Sequence, residues 1–437
     1  MTDLSAQTPF EDIPTRIAFD AAVDILRGVA ATRAMPVERV PLARAHGRVL
    51  AEDLVAVVDQ PPFDNSAMDG FAFRHADLAL AQGDGLRLAG EQFAGGAVAA
   101  ALGAGECVRI TTGAPLPPVA DTVLIREDAE LDDHGRVRAR EAPAHGRWVR
   151  RAGEDVRAGE ALLPAGCVLT PARVALAAGQ GLDRIAVRRR PTVAVFTSGD
   201  ELVEPGLPLR HGQIYDSNRE LLLGLLRAEG LEPVAWPRLP DDPETIASAL
   251  RHAGHAFDVV IVCGGVSVGE KDHLPTFFQR EGRIHFWKVR MKPGMPVLFA
   301  ESRPDAPAGV LEAGEYPSGS AKPLGEALFL CLPGNPVSVL ATTLTLGRTL
   351  LDALQGRSEA RPRLRARLRA GWRKTHPRRE FLRARLECDD DGTLWAAPNA
   401  ADGSHRLHAA AASDALIVLD EGERAHAAGE TVQVLRY

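Results

Sequence analysis

Several classes of protein are disfavoured by what this 437-residue sequence lacks. Its five cysteines are widely scattered and form no Cys-x-x-Cys pair, which argues against a structural zinc site and against a disulfide framework. No uninterrupted apolar run approaches the ~20 residues of a membrane span, and the N-terminal segment is polar and acidic, unlike a secretion signal. A net charge of −7 gives no general affinity for nucleic acid. We therefore expect a cytoplasmic enzyme of about three or four domains that binds neither nucleic acid nor membrane.

The segment 257–272 carries the strongest positive signal. It opens with FDVVIVC, which is typical of a β-strand buried on both faces, as in a parallel sheet. The strand ends at Gly264-Gly265, and Gly269 and Asp272 follow. Glycines at such a turn let backbone N–H groups converge on an anion, and an acidic neighbour is explained if a divalent cation bridges it to a phosphate. The simpler alternative is an ordinary turn between a strand and a helix.

Buried strands, among them Val259–Cys263 and Leu231–Leu239, alternate with helical patterns from residue 191 onward. This alternation predicts a doubly wound sheet, whose ligands collect beyond the carboxyl ends of the strands. Polar residues at these ends should then share one rim: Asp200, Glu201, Asp241, Asp242, Asp272 and Asn335. Clustered acids repel unless a cation lies between them, and a hard divalent ion with oxygen ligands is the natural candidate. Each acid taken singly is more often a helix N-cap or a solvated loop charge.

Two lysines, Lys288 and Lys292 in FWKVRMKPGMP, could balance this acidic rim, because a lysine ammonium is a compact charge suited to phosphate oxygens. Apart from that context they could equally be solvated surface charges. Two polar turns lie earlier in the chain, DNSAMDG with Asp69 and TTGAP with Thr112. Such turns usually satisfy their own backbone groups. They lie in a stretch of short strands that predicts a small β-rich unit.

Seven motifs in order make the chain similar to the MoeA/gephyrin-E family, the molybdopterin molybdotransferases. They are SAMDGFA, ITTGAP, RAGED, TSGDEL, GGVSVGEKD, KPG and PGNPVS. The resemblance covers nearly the whole chain. It implies an elongated N-terminal domain (14–60 and 149–190), an inserted β-rich domain (61–148), a MogA-like α/β domain (191–358) and a C-terminal β-barrel (359–437). It also implies a homodimer whose cleft combines the α/β domain of one subunit with the inserted domain of the other.

The resemblance assigns roles to residues at the matching positions. Those with implied catalytic roles are Asp69, Thr112, Asp155, Glu201, Asp241, Asp272, Lys288 and Lys292. Those with implied ligand-binding roles are Gly264, Gly265, Ser267, Gly269, Pro333, Gly334, Asn335, Pro336 and Ser404. A Mg²⁺ ion is the implied cofactor, and its implied ligands are Glu201, Asp241 and Asp272.

The sequence departs from the family pattern in three places. Ser404 lies in Asp402-Gly403-Ser404, whereas the serine motif of the family more usually begins with glutamine. Met295 stands where many relatives carry lysine, which weakens the case for a third cleft lysine. The segment 302–326 is longer than the resemblance predicts.

An enzyme of this family would take adenylated molybdopterin and molybdate, cleave the adenylate and place molybdenum on the dithiolene, giving AMP and molybdenum cofactor. Its further implied partners are a MogA-like adenylyltransferase and chaperones of molybdoenzymes. One alternative is that the chain is itself a MogA-like adenylyltransferase, since the α/β domain is shared, but the extra domains argue against this. The other is a non-enzymatic scaffold like gephyrin, which the absence of a fused second α/β domain and of a long linker disfavours.

Overall fold

The fold is known from a computed structural model, which describes residues 13–98, 101–267, 269, 272–302, 325–401 and 403–437. Most of the unusual segment 302–326, and Asp402 of the serine motif, therefore lie outside the described residues. A seven-stranded sheet forms the centre of the fold. In order across the sheet its strands are Thr15–Ile17, Gly282–Val289, Leu298–Ser302, Leu328–Leu332, Val259–Cys263, Val193–Thr197 and Val234–Ala235.

Three neighbouring strands at the middle of this sheet, Val193–Thr197, Val259–Cys263 and Leu328–Leu332, run parallel and are buried along their whole length. Burial on both faces explains why their sequences are almost wholly apolar. The segment Leu231–Leu239, predicted as one strand, contains only the two-residue strand Val234–Ala235. Prolines at 233 and 237 flank it, and a proline has no N–H with which to extend the ladder. The short strands Leu202–Val203 and Ile214–Tyr215 pair with each other outside the sheet.

Helices lie on both faces of the sheet. They are Phe19–Ala31, Ser217–Ala228, Pro243–Ala256, His273–Glu281 and the helix Pro336–Leu354, which is π-helical over Thr343–Gly347. One apolar cluster joins the first, second and last of these helices to the sheet, and another joins the remaining two. By length and composition, Pro336–Leu354 is the one helix among the described residues that could cross a membrane, but most of it is buried in the fold.

Residues 37–188 form two smaller units. One has the core residues Leu50, Leu169 and Val187, and its elements are Val37–Pro41, Leu42–Arg44 (a 3₁₀ turn), Leu54–Val55, Ala161–Leu163, Pro171–Gly179 (an α-helix) and Arg184–Arg188. The other is a six-stranded sheet, in the order Thr122–Ile125, Gly70–Phe73, Glu106–Ile110, Leu86–Gln92, Arg136–Ala139 and Ala129–Leu131. It also holds the helix Leu78–Gln82 and the 3₁₀ turns His75–Asp77 and Arg126–Asp128, and it is joined to the first by the paired strands Asn65–Ser66 and Val149–Arg150.

A closed five-stranded barrel ends the chain. Going round it, the strands are Arg379–Cys388, Leu394–Pro398, Leu364–Leu368, Thr431–Arg436 and Ala415–Leu419, which pairs again with the first. The strand Met291–Lys292, which precedes the barrel in the chain, pairs with the barrel strand Arg379–Cys388. The pair Trp372–Lys374 and Arg424–His426 and the helix Leu407–Ala411 complete this part. The predicted fold class, an α/β domain with an elongated N-terminal domain, an inserted β-rich domain and a C-terminal β-barrel, is confirmed.

The helix Phe19–Ala31 should stabilise the α/β sheet although it lies more than a hundred residues before the three central strands, because Leu26 is fully buried in the main apolar cluster. We expect Leu26→Ala to lower the free energy of unfolding by about 2–5 kcal/mol, the usual result of opening a cavity in a core. Urea denaturation would measure the loss. The adjacent, exposed Arg27→Ala should change it by less than about 0.5 kcal/mol, and equal losses in the two variants would contradict this account.

Candidate active site at the carboxyl edge of the sheet

Backbone hydrogen bonds join the loops that follow the three parallel strands. Ser198 N–H donates to Cys263 O (2.9 Å), and Gly264 N–H donates to Leu332 O (3.0 Å). Leu239 N–H donates to Thr197 O (2.8 Å) from the loop that leads to Asp241. The structure therefore brings the predicted polar loops to one edge of the sheet, where the topology puts ligand sites in folds of this kind.

The turn after Val259–Cys263 depends on glycine at two consecutive positions. Gly264 and Gly265 have φ values of +100° and +65°, which other residues adopt only with strain. A Cβ on Gly264 would lie 2.6 Å from Ser198 O. Asp272 ends the described part of this loop, and its Oδ2 accepts a hydrogen bond from Gly269 N–H (2.8 Å). A loop N–H thus already binds an anionic oxygen, supplied by the chain itself.

The acids at this edge have different roles. Asp242 caps the helix Pro243–Ala256: Thr245 N–H and Oγ1 both donate to its carboxylate, at 2.8 and 2.5 Å, and these bonds lower its pKa. Asp200 accepts from Arg238 Nη1 (3.2 Å) and from Asp241 N–H (3.3 Å). The acidic rim was predicted to require a cation, and Arg238 supplies one from the protein itself.

The predicted magnesium ligands are not grouped. Among the residues that the structure describes, no three His, Cys, Asp or Glu side chains lie together so that they could hold a metal ion. The predicted cage of Glu201, Asp241 and Asp272 is therefore not formed, since the Asp272 carboxylate bonds to its own loop and that of Glu201 lies against Gly199. The oxygen donors still fit Mg²⁺ bound as it usually is, by one or two carboxylates together with substrate phosphates.

Lys288 is tied to the glycine turn through its neighbour. The Lys288 ammonium lies 3.9 Å from the centre of the Trp287 ring, and Trp287 Nε1–H donates to Val266 O (2.9 Å) in the loop. Lys288 has φ +70°, a strained conformation for a residue with a side chain. Burial, with repulsion from Arg16 as the smaller cause, lowers the pKa of Lys288.

Lys292 lies in a different environment from Lys288. Its Nζ is 3.2 Å from Glu380 Oε1 of the barrel, whereas the sequence analysis predicted that both lysines face the acidic rim. Ser404, also from the C-terminal part, accepts a hydrogen bond through its carbonyl from Val337 N–H (3.0 Å). This bond brings Ser404 to the turn that contains Pro333, Gly334, Asn335 and Pro336.

Asp69 and Thr112 meet in the six-stranded unit. Thr112 N–H and Oγ1 each donate to Asp69 Oδ1 at 2.8 Å, and these bonds, the backbone one first, lower the pKa of Asp69. Asp155 is exposed in a turn whose backbone N–H donates to Gln60 O (3.0 Å). The sequence analysis named all three residues separately, and the structure adds the direct bond between the first two.

Two residues that support this edge, Asp216 and Asn218, could not be identified as site residues from the sequence. Asp216 is buried, accepts from Thr197 Oγ1 (2.6 Å) and caps the helix Ser217–Ala228. Asn218 Nδ2–H donates to Gly334 O (2.6 Å). An aspartate before a helical pattern is a recognisable cap signal, but nothing in the local sequence indicates that Asn218 reaches a turn more than a hundred residues later.

Comparison with known families accounts for nearly the whole chain. Residues 17–181 match the MoeA N-terminal region (domain I and II), residues 194–353 match a probable molybdopterin binding domain, and residues 365–437 match the MoeA C-terminal region (domain IV). The chain belongs to the MoeA family. The predicted site residues lie within the three matched regions, and the glycine loop, with Ser267, lies inside the second of them.

Individual MoeA relatives are similar over most of their length. A molybdopterin molybdenumtransferase of Haemophilus influenzae is 35% identical over 399 residues, which cover 91% of this chain and 93% of that protein. One of Mycobacterium tuberculosis is 35% identical over 405 residues, covering 90% and 94%. The crystal structure of the MoeA protein of Pyrococcus horikoshii OT3 has a TM-score of 0.78 at 27% identity, covering 96% of this chain and all of that one.

The lowered pKa of Lys288 should be measurable as amine reactivity. We expect acylation of Lys288, followed by peptide mass spectrometry, to reach half its maximum at a lower pH than for an ordinary lysine, because burial disfavours the ammonium form. Arg16→Gln should shift that midpoint part of the way back, since it removes only the smaller cause. A midpoint at the ordinary lysine value in the parent protein would contradict the assignment.

Proposed function

We propose that this protein is a molybdopterin molybdenumtransferase, which accepts adenylated molybdopterin and molybdate, releases AMP and delivers molybdenum cofactor. The observation that carries the proposal is the edge of the α/β sheet, where glycine, acidic and lysine motifs of a MoeA chain meet. Hydrogen bonds between the strand-end loops hold this edge together, and one loop N–H already binds a carboxylate oxygen.

The chain's own groups suit a substrate with a phosphoanhydride. The turn after Gly264 can bind phosphate oxygens through backbone N–H groups, as Gly269 N–H now binds the Asp272 carboxylate, and the ammonium of Lys288 can stabilise the charge that develops on the departing phosphate. The hydrogen bond from Gly269 holds the Asp272 carboxylate at this turn. Asp272, with Glu201 or Asp241, would hold Mg²⁺ next to the phosphates, where the ion would supply Lewis acidity.

The thiol nearest the glycine turn does not compete for the metal cargo. Four of the five cysteines are buried, and burial raises the pKa of Cys263, the one that directly precedes the glycine turn. Its Sγ–H donates to Pro333 O (3.4 Å) within the core. A thiol held protonated is a poor metal ligand, so the soft sulfur ligands for molybdenum come from the dithiolene of the substrate.

The proposal includes a homodimer with shared clefts. Asp69 and Thr112 lie in the six-stranded unit, which is connected to the preceding unit through the paired strands Asn65–Ser66 and Val149–Arg150. Asp272 and Lys288 lie at the edge of the α/β sheet. Two halves of a site on separate units are readily combined across a two-fold axis, which gives two equivalent clefts.

The activity is tested with the purified protein, adenylated molybdopterin, molybdate and Mg²⁺. We expect AMP release together with a product that activates a cofactor-free molybdoenzyme. Adenylation of molybdopterin from ATP, without molybdenum transfer, would instead identify a MogA-like adenylyltransferase, and failure of both reactions would favour a scaffold.

Asp272→Asn should keep the fold and lower the rate of cofactor formation by roughly 10²–10³-fold, as expected for loss of one preorganised charged group. Asp242→Asn is the matched control at the same edge, because Asp242 caps a helix and the variant should turn over like the parent. Rates are compared at limiting Mg²⁺ after near-ultraviolet circular dichroism has shown that both variants are folded. Parent-like turnover by Asp272→Asn would remove this residue from the mechanism.

Mixing inactive Asp69→Asn chains with inactive Asp272→Asn chains should restore activity, because about half of the clefts in mixed dimers would contain neither lesion. Differently tagged chains allow the mixed dimers to be purified before the assay. A mixture of Asp69→Asn with Thr112→Val should stay inactive, since both changes damage the same half of every cleft. No recovery in purified mixed dimers of the first pair would refute the shared cleft.

A further inference from the structure

A buried carboxylate of the barrel lies next to Lys292, one of the two lysines to which the family resemblance assigns a catalytic role. Glu380 is only 3% exposed. Its Oε1 is 3.2 Å from Lys292 Nζ and 3.3 Å from His376 Nε2, and its Oε2 accepts a hydrogen bond from Trp372 Nε1 (3.2 Å). The carboxylate is thus fixed by groups of the barrel on one side and contacts the lysine on the other.

The backbone fixes the same pair. The strand Met291–Lys292 runs parallel to the start of Arg379–Cys388, with Lys292 opposite Glu380 in the register. Lys292 keeps 28% of its side chain exposed. The barrel therefore holds the Lys292 ammonium on one side, while part of the side chain faces solvent. This arrangement is expected of a charge that must meet a ligand in one position.

The choice of lysine for this ion pair is unusual in this chain. The sequence contains five lysines and 46 arginines, so nearly every other cation is a guanidinium. An arginine opposite Glu380 would engage both carboxylate oxygens with its planar fork. The Lys292 ammonium contacts Oε1, leaves Oε2 to Trp372 and presents a compact charge. A second lysine, Lys374, is buried nearby. Its Nζ donates to the carbonyl of His376 (2.7 Å), the residue whose ring also contacts Glu380.

We propose that Glu380 is a positioning residue for Lys292, so that the C-terminal barrel sets where this ammonium meets the anionic groups of the substrate. The proposal rests on the proposed function to the extent that Lys292 contacts those groups. The barrel then contributes to the cleft twice, through Glu380 and through the carbonyl of Ser404, which bonds to Val337 beside the Pro333–Pro336 turn.

The two effects of Glu380 can be separated kinetically. Its negative charge weakens the general attraction of Lys292 for anions, whereas its position directs the ammonium. Glu380→Gln removes the charge and keeps the size of the side chain. We therefore expect kcat to fall roughly 10–100-fold, the range found when groups that orient an active-site residue are lost, while KM for adenylated molybdopterin stays the same or decreases.

A double-mutant cycle shows whether Glu380 acts through Lys292. The full-length proteins to be compared are the parent, Lys292→Met, Glu380→Gln and the double variant. In the Lys292→Met background, adding Glu380→Gln should change kcat by less than about twofold. Glu421→Gln is the matched control: Glu421 pairs with Arg290 (2.9 Å), two residues before Lys292, and its loss should leave kcat unchanged.

A second measurement does not depend on turnover. Lysine acylation with mass spectrometry should show Lys292 labelled faster in Glu380→Gln than in the parent, with Glu421→Gln like the parent. Parent-like kinetics and labelling in Glu380→Gln, or an equal loss of kcat with and without Lys292, would overturn the proposal. If Lys292→Met itself turned over like the parent, the catalytic role that the family resemblance assigns to Lys292 would fail, a result distinct from failure of Glu380 to position it.

Discussion

The loops after the parallel strands approach so closely that Gly264 has no room for a side chain. A Cβ there would lie 2.6 Å from Ser198 O. On either side of this contact, Ser198 N–H donates to Cys263 O and Gly264 N–H donates to Leu332 O. The acidic motif and the glycine loop take their relative position from that contact, because Ser198 leads to the first and Gly264 leads to the second. The chemistry of the edge therefore depends first on backbone packing and only then on side chains.

The parts of the fold that could be predicted are those encoded by local pattern. Val259–Cys263 was bounded correctly because an unbroken apolar run between polar residues is typical of a doubly buried strand. The antiparallel strands Gly282–Val289 and Leu298–Ser302 were not predicted. Their sequence contains the lysine motif, which attracted a functional interpretation, and their register depends on neighbours far away in the chain. The resemblance to a family supplied the domain order that periodicity alone could not.

The site was predicted least well where charge pairs cross long sequence distances. A rim of acids was taken to require a metal ion, but Arg238 contacts Asp200 from the same edge, and a carboxylate can also bond to its own loop, as Asp272 does. Lys292 was expected beside these acids, yet its partner Glu380 lies 88 residues later in the barrel. Counting charges near strand ends therefore overestimates how many remain uncompensated, because the tertiary fold supplies counter-charges that the local sequence does not show.

The strand Thr15–Ile17 pairs with a strand that lies more than 260 residues later in the chain, Gly282–Val289. Thr15 lies opposite Trp287, and the helix Phe19–Ala31 packs in the same apolar cluster as the helix Pro336–Leu354. During synthesis this segment leaves the ribosome long before its partners exist, so the sheet edge at Gly282–Val289 closes only when most of the chain has been made. Contacts of such high sequence separation form slowly and leave an apolar surface exposed in the meantime. The nascent chain, rather than the finished enzyme, is where this molecule is most vulnerable to aggregation.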